Sequence, residues 1–299
     1  MLRRYLGRYL GLLAVLTSLT ALGQPDGQKR RKAGPNPPTK TAISFELYRD
    51  YLIVVHGSAG PLKGLNFLVD TGAIPSVLAP RLAQRLRMNA APTEIPVLNG
   101  NVPGEMATLP SLQLGPVHKE NLRVLVEDLS FIQRWLPFQI DGIVGLDVLG
   151  KNAFVIDYAA HEVRFGPTPP MPMSVPLQMT EGLPIVDAIV NNHSSVHLLL
   201  DTGAPSLVLF EHIPDPGLQA ASAQVSPGSI GSFDRKLVRQ ISLQLGEAEF
   251  GNEPAFIVRN PRDAGHNFDG LMSPAALGIT QVAIDLSHGT LSFTREPLD

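Results

Sequence analysis

Two aspartates in this chain occupy the same tripeptide, Asp70-Thr71-Gly72 and Asp201-Thr202-Gly203. Each tripeptide closes an apolar run, LNFLV before the first and VHLLL before the second. A short apolar run of this kind predicts a buried strand, so each carboxyl is expected where a strand passes into a turn. The threonine supplies a hydroxyl able to bond across to the other copy. The glycine lets backbone come close where a side chain would block it. Two such strand ends set face to face would share one proton, because adjacent carboxylates cannot both ionise cheaply. A half-protonated pair acts as general base on a water and general acid on a carbonyl at the same time.

A facing pair needs a repeated frame, and the chain contains one. Asp70 and Asp201 are separated by 131 residues, and Leu112-Gln113-Leu114-Gly115 recurs at the same spacing as Leu243-Gln244-Leu245-Gly246. The segment DGIVGLDVLGKNAFVIDYAAHEVRF, from Asp141, recurs 128 residues later as DGLMSPAALGITQVAIDLSHGTLSF. Three blocks in one order, with one small deletion, describe an internal duplication. The units are an N-terminal lobe at 43–166, a proline-rich connector at 167–174 and a C-terminal lobe at 175–295.

Within each half the pattern is mostly strand. Ile43, Phe45 and Leu47 alternate, and Tyr51–Val55, Leu65–Val69, Leu112–Leu114 and Leu122–Val126 are further strand candidates. Pro80 opens a short helix with Leu82 and Leu86 on one face. The stretch Gly145–Gly150 predicts one or two helical turns, followed by strands at Phe154–Ile156 and Val163–Phe165. The second half repeats this, except that Pro214 and Pro216 interrupt the counterpart of the first helix.

Composition narrows the class. The 299 residues are 44% hydrophobic and 17% charged, with 27 glycines and 27 prolines, which favours a turn-rich β protein. Cysteine is absent, which excludes disulfides and thiolate zinc sites. Arg3, Arg4 and Arg8, the apolar stretch Leu10–Leu22 and the Ala21-Leu22-Gly23 site predict a signal peptide at 1–23, with a flexible linker at 24–42. The expected location is therefore periplasmic or secreted, with a membrane tether if the segment is retained and no stable span once it is cleaved. Residues 1–40 hold eight basic and one acidic residue, and the remainder holds 16 and 26. An acidic folded part argues against nucleic acid as a partner.

These motifs resemble the pepsin/retropepsin superfamily of aspartic proteases. The D-T-G-A copies at Asp70–Ala73 and Asp201–Ala204 resemble the retropepsin form. Ile143-Val144-Gly145 before LDVLGKN is similar to the apolar-apolar-Gly element that buttresses each active-site turn. The resemblance implies an all-β, bilobal acid-protease fold, with peptide or protein substrates bound in the cleft between lobes. It implies catalysis by Asp70 and Asp201, with turn support from Thr71, Gly72, Ala73, Thr202, Gly203, Ala204, Gly145 and Ser273. It implies neither cofactor nor metal. Two triplets in one chain make a monomer sufficient. The family's cleft-covering flap has two candidates here, Leu98–Thr108 and Ser226–Lys236.

Three features depart from the family. Ser273 stands where the second half should repeat Gly145, and Ile74 and Pro205 follow the two D-T-G-A copies where relatives carry a small polar residue. Ala73 and Ala204 also lack the hydroxyl that stabilises the ionised pair in acid-acting relatives, which predicts a less acidic working range. The departures keep two other classes open: a non-catalytic peptide-binding module on the same frame, and a structural envelope protein with a vestigial cleft. The repeated Asp141/Asp269 and Asp157/Asp285 are expected to cap helices or close turns. His193 and His197 are read as surface residues, and Trp135 as a packing residue.

Overall fold

The computed structural model describes residues 41–97, 100–133, 136–150, 153–215, 218, 236–258 and 267–295. The expected signal peptide, nearly all of the linker, Trp135, Pro216 and most of the Ser226–Lys236 segment lie outside the described residues.

In the first half the strands are β1 (Ala42–Tyr48), β2 (Leu52–Ala59), β3 (Leu62–Val69), β4 (Val77–Leu78), β5 (Ala90–Val97), β6 (Gly100–Leu114), β7 (Val117–Val126), β8 (Gly142–Val144), β9 (Phe154–Asp157) and β10 (Glu162–Phe165). Three short helices intervene: α1 (Pro80–Arg85), α2 (Ser130–Gln133) and α3 (Leu146–Leu149). In the second half the strands are β11 (Met173–Pro176), β12 (Gln178–Thr180), β13 (Leu183–Val190), β14 (Ser194–Leu200), β15 (Leu207–Phe210), β16 (Lys236–Leu245), β17 (Ala248–Val258), β18 (Gly270–Met272), β19 (Ile279–Asp285) and β20 (Thr290–Arg295). A 3-10 turn at Ala275–Leu277 replaces the last helix. The protein is therefore nearly all β and bilobal, with the acid-protease-like architecture expected from the sequence.

The halves are joined by an antiparallel row in the order β11-β20-β19-β9-β10-β1. Its centre is the β9–β19 pair, where Val155 lies opposite Ala283 and Phe154 opposite Ile284. Ala283 is the repeat counterpart of Val155, 128 residues on. Each half thus meets its own copy across a pseudo-two-fold axis, as in an isologous dimer interface. One polar clamp crosses it: buried Asp157 accepts bonds from Arg164 at 3.0 Å and from Gln281 of the other half at 2.7 Å.

Each lobe mounts its aspartate in the same way. Strand β3 lies between antiparallel β2 and parallel β8, and β14 lies between β13 and parallel β18. Leu65, Phe67 and Val69 enter the main core while Leu68 faces a second cluster, so β3 is buried on both faces. In β14, Val196, Leu198 and Leu200 enter the main core and Leu199 the opposite cluster. A strand packed on both faces has little freedom at its end, which is the condition for a fixed catalytic mount.

The antiparallel pairing of β15 with β18 is tight. A Cβ on Gly270 would lie 2.1 Å from the Val208 carbonyl oxygen, whereas one on Gly251 would meet nothing within 4 Å. Gly270→Ala is expected to cost about 3 kcal/mol by overpacking against backbone, and Gly251→Ala to be neutral within a few tenths of a kcal/mol. Urea unfolding of both variants checks this; equal losses would contradict the close approach.

Candidate active site

Both aspartates extend their parallel ladders by one residue. The Asp70 N–H donates to Val144 O at 3.0 Å and the Asp201 N–H to Met272 O at 2.9 Å. Each chain then turns back on itself. Gly72 N–H donates to Asp70 Oδ1 and Gly203 N–H to Asp201 Oδ1, both at 2.8 Å. Ala73 and Ala204 close the turns with longer bonds to the aspartate carbonyls, 3.3 and 3.4 Å.

The threonines lock the two turns together. Thr71 N–H donates to Thr202 Oγ1 at 3.0 Å, and Thr202 N–H to Thr71 Oγ1 at 3.1 Å. Each hydroxyl in turn donates to the opposite strand, Thr71 to Leu200 O at 2.7 Å and Thr202 to Val69 O at 3.3 Å. All four bonds cross between halves and both threonines are fully buried. Satisfied buried networks of this type specify one geometry, because each lost partner would leave a desolvated polar atom.

The glycines set the spacing of the carboxyls. A Cβ on Gly72 would lie 2.9 Å from Asp201 Cγ, and one on Gly203 would lie 2.8 Å from Asp70 Cγ. Each carboxyl therefore occupies the place a side chain would take on the opposite glycine. Asp70 and Asp201 are 1% and 0% exposed, and each carboxyl lies against the glycine of the other copy. Their Oδ2 atoms are buried with no donor among the described residues. One shared proton satisfies both. Burial pushes Asp70 up to about 6, against the opposing pull of the Gly72 N–H. Burial, and then the charge of Asp70, hold Asp201 well above the usual carboxylate range. Ala73 and Ala204 offer no hydroxyl to counter either effect, in the direction expected from the sequence.

The supports behind the two turns differ. A Cβ on Gly145 would fall 2.0 Å from Ala73 O, so only glycine fits there, and Leu146 N–H donates to the same oxygen at 3.2 Å. In the second half the matching pair is Ser273-Pro274. Ser273 carries a Cβ and Pro274 has no N–H, so the second turn cannot repeat either contact. Ser273 is fully buried and its hydroxyl has no partner among the described residues. Two residues that the motif alone does not flag complete the first support. Asp147 Oδ2 accepts from Ser76 N–H at 2.9 Å, and Asp147 Oδ1 accepts from Ser76 Oγ at 2.6 Å. Ser76 Oγ accepts from Gly145 N–H at 3.0 Å. The repeat counterparts are Leu207 and Ala275; aligning the two halves at offsets of 131 and 128 would have exposed this polar-to-apolar exchange.

The other repeated acids have structural duties. Asp157 and Asp285 close turns, accepting from Ala160 N–H at 2.8 Å and Ser287 N–H at 3.1 Å. Asp141 and Asp269 do not cap helices, which corrects the expectation. They clip the central strands: Asp141 accepts from Asn66 N–H and pairs with Arg81, both at 2.9 Å. Asp269 accepts from His197 N–H and bonds His212, both at 2.8 Å. The His197 ring is exposed against Asp187, and no acid or histidine cluster suited to a metal occurs among the described residues. Of the Leu98–Thr108 segment, Gly100–Thr108 lies in β6, paired with β5 from Ala90–Ala107 out to Val97–Gly100, and Leu98 and Asn99 lie outside the described residues.

Comparison with known proteins agrees with this geometry at the level of fold and class. The aspartyl protease family model matches residues 55–148, which include Asp70 and its buttress. Basic 7S globulin from soybean superposes with a TM-score of 0.50 at 14% identity, over 85% of this chain and 94% of that one, a likeness of fold. A hydroxypyruvate/pyruvate aldolase of Rhizorhabdus wittichii is 28% identical over 176 residues, 54% of this chain and 67% of that protein. At that identity it carries no activity over to this chain. The family match lies in the first lobe, and the fold of the chain is aspartic-protease-like.

The buried pair has a consequence for stability. Both carboxyls titrate above the roughly 3.9 of an unfolded aspartate, so their protonated forms favour folding. That contribution is complete below about pH 4 and is lost as pH rises through the folded values, about 6 and above. Asp201→Asn removes one ionisable group and the repulsion it exerts. The variant should match the wild type near pH 4 and exceed it at pH 8 by at least about 1.4 kcal/mol, one unit of displaced titration. Thermal unfolding from pH 4 to pH 8 measures this; a variant weaker than wild type at pH 8 would refute the buried-pair account.

Proposed function

We propose that this protein is an aspartic endopeptidase that hydrolyses peptide bonds of an extended chain bound between its lobes. The observation that carries this reading is the reciprocal site: two buried carboxyls, each held by its own glycine N–H and pressed against the glycine of the other copy. In the reaction, the ionised carboxyl removes a proton from a bound water. The water oxygen attacks the scissile carbonyl carbon, and the protonated carboxyl donates to the carbonyl oxygen. The gem-diol then collapses: the carboxyl that took the water proton gives it to the leaving nitrogen as the C–N bond breaks. The other carboxylate takes a gem-diol hydroxyl proton as the carbonyl re-forms, so the pair again carries one proton. An extended substrate can add main-chain bonds to a hairpin such as that of β5 and β6.

Asp70→Asn and Asp201→Asn should each lower turnover of a peptide library by about 10³-fold or more, the scale of a lost acid–base partner. Normal turnover in either variant would exclude the mechanism. Activity requires one proton on the pair, so the rate should peak above the pH 2–3 range of a dyad with values of about 1.5 and 4.7. A pH–rate profile checks this.

A second reading, a peptide-binding module without catalysis, draws on Ser273, whose buried hydroxyl has no partner among the described residues. Binding of a hydroxyl-bearing transition-state mimic with no cleavage from pH 3 to pH 8 would favour it. We further propose export with cleavage after Gly23. N-terminal sequencing of the mature protein should read Gln24, and an intact Met1 would refute cleavage.

A further inference from the structure

The two active-site turns have the same sequence and unequal anchorage. Behind Asp70 runs a polar chain: the half-buried Asp147 carboxylate takes both the N–H and the hydroxyl of Ser76, and Ser76 Oγ takes the Gly145 N–H. Ser76 is 1% exposed and lies six residues past Asp70. Gly145 packs on the Ala73 carbonyl inside the Asp70 turn. Asp147 is itself held from behind, since Lys119 Nζ donates to its backbone carbonyl at 3.1 Å. Behind Asp201 the same places hold Leu207, buried in the main core, and Ala275, packed against that core.

We propose that Asp147 is a positioning residue for Asp70, acting through Ser76 and Gly145 to hold the first active-site turn, with no counterpart in the second half. Asp147 touches neither carboxyl. It ties the segment that leaves the Asp70 turn to the β8–α3 corner on which that turn rests. Because Ser76 N–H and Oγ both engage the same carboxylate, the segment is fixed in direction as well as distance. The first carboxyl is thereby held rigidly, while the second, among the described residues, rests on its ladder bond to Met272, its own turn, the threonine lock and apolar packing. Loosening the Asp70 turn lets the carboxyls part and admits water, which relieves both causes of their raised titration.

The test compares Asp147→Ala, Ser76→Ala and Asp147→Asn with Phe250→Leu, a core variant of the second half that lowers stability without touching this chain of bonds. Carbon-13 NMR of labelled aspartate carboxyls follows the titration of Asp70 and Asp201 in each protein. Asp147→Ala and Ser76→Ala should bring the upper titration of the pair down by about one pH unit toward the ordinary value. Asp147→Asn should fall between them and wild type, because its amide can still accept from Ser76 N–H while donating to Ser76 Oγ. Phe250→Leu should lower Tm and leave the titration in place. In peptide hydrolysis the first two variants should lose about ten- to a hundredfold in kcat at unchanged KM, the scale of a misplaced catalytic group. This kinetic arm rests on the proposed peptidase activity; the titration arm does not. An unchanged titration in both Asp147→Ala and Ser76→Ala, or an equal change in Phe250→Leu, would overturn the positioning role. A wild type that titrates as described but cleaves nothing would refute the peptidase reading, with the positioning role then decided by the titration alone.

Discussion

Burying two carboxyl groups against each other opposes folding wherever both would ionise. The rest of the structure can be understood as what makes that burial tolerable. Four hydrogen bonds through Thr71 and Thr202 hold the two strand ends at one separation. Gly72 and Gly203 leave the space that the opposite carboxyls fill. The β9–β19 pairing centres both lobes on the same axis. Remove the shared axis and the carboxyls have no reason to meet; remove the glycines and they have no room.

The symmetry is close at the triplets and fades behind them. In the first half, glycine, serine and aspartate form a hydrogen-bonded corner under the Asp70 turn. In the second half Ser273, Leu207 and Ala275 occupy those positions, and the carboxylate with its two bonds is gone. The changes are mutually consistent. With Ala275 in place of Asp147, a polar Ser76 counterpart would lose the carboxylate that takes both of its donors, and Leu207 avoids that cost. Unequal anchorage is a plain route by which a duplicated site gives its two carboxyls different surroundings while keeping one set of triplets.

Much of this was legible in the sequence. The strand endings at Val69 and Leu200, the helix after Pro80 and the turn after Gly145 follow from apolar periodicity, Pro placement and the internal repeat. The mutual placement of Asp70 and Asp201 is legible only because the repeat implies an axis. Asp141 and Asp269 read from sequence as residues that cap helices or close turns, since Asp beside Gly is a turn signal. Their true partners, Asn66 and His197, lie 75 and 72 residues away and no local rule reaches them. Ser76 and Asp147 escaped for a related reason. Each is unremarkable alone, and their meaning comes from a contact between residues 71 apart that the second half lacks.

The central claim is that the two buried carboxyls form one unit carrying a single proton. Neutron diffraction from a crystal exchanged into deuterium oxide near pH 6 tests it directly. The account predicts oxygens of Asp70 and Asp201 within about 3 Å of each other, with one deuteron between the two side chains. Two ionised carboxylates, or two carboxyls standing apart with a deuteron on each, would contradict it.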